Sequence, residues 1–168
     1  MNTFYKILSI GLFSILSYNT QAQPRLQFKG EVSNQGVGLG VFFNLSEQIS
    51  GGFAPVNFPE NVYGIGLGVE SPLFYRNQSY GENKWVVAPR VSFEHHLTFL
   101  PLFAAWRING LYYTDFDKGA LALRPEIGLT LRSNVYLFYG YNIPFQNQEL
   151  VPLRNQITLG IMIPNIYF

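Results

Sequence analysis

Residues 119–134, GALALRPEIGLTLRSN, alternate with a period of two. Leu121, Leu123, Pro125, Ile127, Leu129 and Leu131 share one side, and Ala120, Ala122, Arg124, Glu126, Gly128 and Thr130 share the other. Successive side chains of a strand point to opposite faces, so the spacing predicts a strand with one apolar face. The pattern recurs along the chain. Trp85, Val87, Val91 and Phe93 oppose Lys84, Arg90, Ser92 and Glu94; Trp106, Ile108 and Tyr112 oppose Arg107 and Asn109; Leu26, Phe28 and Val32 oppose Gln27, Lys29 and Glu31. No helical period of any length occurs after position 22. Turn residues at 34–36, 46–48, 59–61, 115–119 and 133–134 divide the runs. This even punctuation predicts a meander of antiparallel hairpins with strands at about 25–33, 36–45, 48–57, 61–70, 84–95, 100–113, 119–132, 134–143 and 154–163. Residues 72–78 supply a candidate tenth strand.

Alternation alone allows two solutions. In a soluble barrel or sandwich the apolar face points inward. In a membrane barrel it meets lipid and the polar face fills the lumen. The composition of the polar face favours the second. Only 12% of the chain is charged, and the net charge is +1. A solvated face would be rich in Lys and Glu. Here small residues dominate it, including Gly36, Gly38, Gly40, Gly64, Gly66, Gly68, Gly128, Gly140 and Gly160. The charges that remain balance: Lys29, Arg90, Arg107 and Arg124 against Glu31, Glu70, Glu94 and Glu126. Buried charges must be paired, so these eight are expected to form a lumen network. A barrel of about eight strands has an interior just filled by side chains, so the network is expected to close the lumen rather than line a pore. Trp85, Tyr112, Tyr141 and Tyr63 fall near strand ends on the apolar face, where amphipathic rings suit a headgroup layer.

The two ends of the chain address location. MNTFYKILSIGLFSILSYNTQAQ places Lys6 before an apolar run from Ile7 to Leu16, followed by Thr20-Gln21-Ala22. That is the layout of a signal peptide cleaved near Ala22, and its apolar run is too short to cross roughly 30 Å of hydrocarbon. The expected division is a signal peptide over 1–22 and a barrel domain over 23–168. At the other end, ITLGIMIPNIYF spaces Ile157, Leu159, Ile161 and Ile163 two apart and closes on Tyr167 and Phe168. This ending resembles the C-terminal assembly signal of small Gram-negative outer-membrane β-barrel proteins. The resemblance covers the mature chain in pattern, with Pro164-Asn165 departing from strict alternation. It implies an all-β, antiparallel up-and-down transmembrane β-barrel of 8–10 strands in the outer membrane. It also implies bilayer lipid and the barrel-assembly machinery as partners, the latter through the terminal strand.

Chemistry is sparse. Cysteine is absent, which excludes disulfides, thiol catalysis and thiolate metal sites, and no basic field exists to hold nucleic acid. The glycines of VYGIGLGVE share one strand face with no helix after them, so phosphate binding is not expected. SFEHHL carries both histidines, His95 and His96, with Ser92 and Glu94 nearby. Ser92, Glu94 and His96 share the inward face and His95 takes the other. Residues two and four apart on a strand lie about 7 and 13 Å apart, too far for a Ser–His hydrogen bond within one strand. The histidines read as a wet, interfacial pair. Two of them without a third strong ligand do not make a metal site.

The expected function is therefore a structural or binding role with no catalysis, cofactor or metal, and any extracellular ligand would meet the loops. The alternatives are an outer-membrane lipid-modifying hydrolase using Ser92, Glu94 and His95 or His96, and a soluble periplasmic barrel carrying an apolar ligand.

Overall fold

Strands account for nearly all of the regular structure in the computed structural model, which describes residues 25–46, 62–72, 85–98, 103–131 and 135–163. They are β1 (Arg25–Ser33), β2 (Val37–Asn44), β3 (Val62–Ser71), β4 (Ala88–Thr98), β5 (Phe103–Thr114), β6 (Gly119–Leu131), β7 (Val135–Tyr141), β8 (Ile143–Pro144) and β9 (Asn155–Ile163). Each of β1 to β7 pairs antiparallel with its neighbour in sequence; β9 pairs with both β7 and β1, and the ring is closed. The result is an eight-stranded antiparallel barrel with one short extra strand. β8 continues the register that β7 holds against β6, so Tyr141 stands opposite Pro125 where the ladder breaks. Proline has no N–H to donate, which accounts for the interruption. The candidate strand at 48–57 and most of the candidate at 72–78 lie outside the described residues, as do residues 1–22, where a signal peptide is expected, and Tyr167 and Phe168. β2 pairs directly with β3, so the ring needs no strand between them.

The barrel wall is apolar on the outside. Leu39, Ile127, Val91, Ile157, Leu159 and Ile161 are each more than half exposed, with Leu39 and Ile127 at 68%. By strand parity, no Lys, Arg, Asp or Glu occupies an outward position of any described strand. The inside carries the polar groups: Lys29, Glu31, Arg90, Glu94, Arg107, Arg124 and Glu126 are all buried.

Register explains how long charged side chains fit inside so narrow a ring. Gly40 stands opposite Lys29, Gly38 opposite both Glu31 and Glu70, Gly68 opposite Arg90, Gly64 opposite Glu94, and Gly140 opposite Glu126. Glycines of β2 and β3 thus give up side-chain volume that β1, β3 and β4 use, and Gly140 of β7 does the same for β6. The fit leaves little slack. A Cβ at Gly40 would meet the Leu67 carbonyl oxygen at 2.7 Å, and one at Gly68 would meet the Leu39 carbonyl oxygen at 2.8 Å. Backbone cannot swing aside as a side chain can, so these two positions require glycine on spatial grounds.

Three layers fill the interior. Where β1 begins and β9 finishes, which we call the terminal end, Phe42, Ala105, Tyr136, Phe138 and Met162 pack together. The charged layer follows. At the opposite, far end, Ala88, Leu111, Tyr113, Ala120 and Ala122 pack with Leu150 and Val151 from the segment between β8 and β9.

Candidate functional site

The charged layer is the chemically distinctive part of the molecule. Its members come from β1 (Lys29, Glu31), β3 (Glu70), β4 (Arg90, Glu94), β5 (Arg107) and β6 (Arg124, Glu126), all on inward positions of their strands. The eight charges expected from the sequence to share the lumen are together there, and their order alternates in sign. Arg107 pairs with Glu31, Glu31 with Arg90, and Arg90 with Glu70 at 3.5 Å. Arg124 grips Glu70 with two bonds, of 2.8 and 2.7 Å. It also meets Glu126 at 3.1 Å, and Glu126 returns to Arg107. Six charges therefore form a closed ring in which each has a neighbour of opposite sign on both sides. The seventh and eighth, Lys29 and Glu94, pair with each other, and Glu94 lies 4.0 Å from Arg107.

Neutral groups complete the ring. Tyr136 donates its hydroxyl to Glu31 at 2.7 Å, Tyr113 donates to Glu70 at 3.1 Å, and Asn109 donates to Glu126 at 3.0 Å. Arg124 also donates to the side-chain amide oxygen of Gln156 at 2.7 Å. The Arg107 guanidinium lies 4.5 Å from the centre of the Phe138 ring, and Lys29 lies 4.6 Å from that of Phe42. Cations over aromatic faces tie the charged layer to the layer beneath it. Arg107 and Arg124 have no exposed surface at all, so the interior offers no open bore at this level. Each charge is withdrawn from water and paired, and the pairs link five strands across the lumen.

The sequence pattern places Asn109 on the inward face beside Arg107, but it does not single out Tyr113, Tyr136 or Gln156. Parity places them correctly: Asn109, Leu111 and Tyr113 continue the Arg107 face of β5. Their role as carboxylate donors rests on contacts across the lumen that no local pattern encodes.

The histidines divide. His95 points outward, half-buried, with its ring edge-on to Tyr63 and Trp106. His96 points inward and is 1% exposed, between the rings of Phe42 and Phe138. The expectation of a wet pair is corrected for His96, which the aromatic layer encloses. Ser92 donates to Glu94 at 3.0 Å, and Glu94 lies 3.5 Å from Nε2 of His96. The carboxylate stands between hydroxyl and imidazole, and neither ring nitrogen of His96 has a hydrogen-bond partner among the described residues. A nucleophile needs its base in direct contact, and this order does not supply that contact. No group of three or more metal-ligating side chains occurs among the described residues.

The outward residues of the terminal strand, Ile157, Leu159, Ile161 and Ile163, are each about half exposed and pair across β1 and β7. Compared with known protein families, characterised proteins and solved structures, the chain matches none.

Proposed function

We infer that the chain is an integral outer-membrane β-barrel with a structural or binding role, exported by its N-terminal segment and assembled through its terminal strand. One observation carries this reading. Every described strand presents an outer face without a single Lys, Arg, Asp or Glu, while eight charges are sequestered inside. Water would favour the opposite arrangement, because exposing apolar area costs about 25 cal/mol per Å² and burying charges costs more. Lipid favours the arrangement found. The rings of Trp85, Tyr112 and Tyr141 toward the far end, and of Tyr63 toward the terminal end, suit the two headgroup layers. The non-catalytic part of the reading is supported by Ser92, whose hydroxyl is committed to Glu94 rather than to an imidazole. A charged, filled middle also leaves no room there for an apolar cargo.

The two tryptophans of the chain allow a direct test. In a Trp85→Phe variant, Trp106 on the outer wall is the sole reporter. Its emission should be quenched strongly in vesicles of lipids brominated along the acyl chain, and should be insensitive to a water-soluble quencher. A protein that folds without lipid or detergent, with Trp106 untouched by brominated lipid, would contradict the membrane reading.

A further inference from the structure

The two ends of the interior are filled by different means. At the terminal end the wall itself supplies large side chains, Phe42, Tyr136, Phe138 and Met162. At the far end the wall supplies three alanines, Ala88, Ala120 and Ala122, beside Leu111 and Tyr113. The volume those alanines leave is taken by Leu150 and Val151, 5% and 7% exposed, from a segment that is not part of the wall. This segment crosses the mouth on a single short 3₁₀ turn, Gln148–Leu150. Its outer fastenings are polar and exposed: Lys118 to Glu149 at 3.3 Å, Asn147 to the Gly119 carbonyl at 2.7 Å, and Arg154 to Gln148 at 3.4 Å. Exposed pairs of this kind contribute little, about 0–1 kcal/mol each. The ends of the strap are held by backbone hydrogen bonds, from the Phe145 N–H to the Leu121 carbonyl at 2.9 Å and from the Asn142 N–H to the Arg154 carbonyl at 2.7 Å. An alanine-lined mouth is thus closed by two side chains on the middle of a strap that is anchored mainly at its ends.

We propose that this mouth is a binding site for a small uncharged apolar molecule bearing one acceptor oxygen, which enters by displacing Leu150 and Val151. The alanines, Leu111 and the Tyr113 ring would receive its apolar part. The oxygen is required by what the strap leaves behind. Asn142, with no exposed surface, donates its amide to the Leu153 carbonyl at 2.7 Å, and Gln35 donates to the same carbonyl at 3.0 Å. Full entry of the ligand lifts the strap as far as Leu153 and takes that acceptor from Asn142, and an unpaired buried donor is costly. A ketone, ester or alcohol oxygen restores the bond. A carboxylate is disfavoured because Glu70 lies at the floor and Arg124 is already committed to it. The proposal concerns the mouth alone and stands or falls separately from the membrane assignment.

The probe is 4-fluoroacetophenone, followed by the width of its fluorine resonance in detergent solution. The chain has no cysteine, so Lys118→Cys with Glu149→Cys creates one defined pair that a short, reducible bifunctional thiol reagent can bridge. The uncross-linked variant should broaden the line, the bridged form should not, and reductant should restore the broadening. A second variant, Leu150→Ala with Val151→Ala, removes the occupant and should bind the probe at least tenfold more tightly. Fluorobenzene, which lacks the oxygen, should bind at least tenfold more weakly than the ketone. Equal broadening with the strap bridged and free, or no gain in the double-alanine variant, would overturn the site. Equal binding of ketone and fluorobenzene would overturn the acceptor requirement.

Discussion

Replacing Arg107 with alanine is expected to cost about 3–5 kcal/mol of stability, the typical penalty for removing one partner of a buried charge pair. Arg107 joins Glu31 to Glu126 and stands near Glu94, so its loss opens the ring and leaves carboxylates facing one another without a cation between them. The aromatic layer suffers as well, because the guanidinium lies over Phe138. A loss of this size is comparable to a large part of a domain's total stability. Arg107→Lys keeps the charge but not the planar fork that reaches two carboxylates, and should fall between wild type and alanine. Combining Arg107→Ala with Glu126→Gln removes one orphaned carboxylate and should recover part of the loss, a non-additivity expected of groups in one network. Urea unfolding of protein reconstituted in vesicles measures the three variants against the wild type. An Arg107→Ala variant as stable as the wild type would mean that the ring is not what holds these strands in register.

Placing an arginine on the outer wall tests the other half of the account. Leu159 lies at the middle of β9, points outward at 54% exposure, and pairs with Val32 on one side and Leu137 on the other. If this wall meets the middle of a bilayer, Leu159→Arg should destabilise the barrel by about 2–4 kcal/mol. In water the same change at an exposed position would stay within about 0.5 kcal/mol and improve solubility. Asn155→Arg, at the outer edge of the same strand, serves as the depth control and should cost about 0–1 kcal/mol. Equal effects at the two positions would remove the depth dependence that lipid imposes.

Much of this architecture can be read from single residues. The two-residue period placed Leu121, Ile127 and Leu129 opposite Arg124 and Glu126, and those faces are the outside and the inside of the barrel. The inward glycines of β2 and β3 announced a narrow interior. The order of charges around the ring was not legible, because its bonds join strands far apart in the chain. Arg107 reaches Glu31 across 76 positions, and Arg90 reaches Glu31 across 59. Such partners follow from barrel closure and register, which a local pattern does not contain. The same limit hid Tyr113 and Tyr136 as carboxylate donors. Leu150 and Val151 were missed for a different reason. Their segment lies between two predicted strands and carries no alternation, and only the alanines facing them across the mouth hint that something must fill the space. His96 was misjudged because a histidine beside another at a strand end looks wet until the rings of Phe42 and Phe138 are seen around it.

The central claim is that the apolar outer wall of this barrel meets a membrane. It is tested most directly by producing the chain with its own N-terminal segment in a Gram-negative host and separating inner membrane, outer membrane and periplasm. The account predicts that the protein is found in the outer-membrane fraction, resists extraction at high pH, and shows a gel migration that changes on heating. Recovery in the soluble periplasmic fraction, folded without detergent and with no heat-dependent migration, would contradict it.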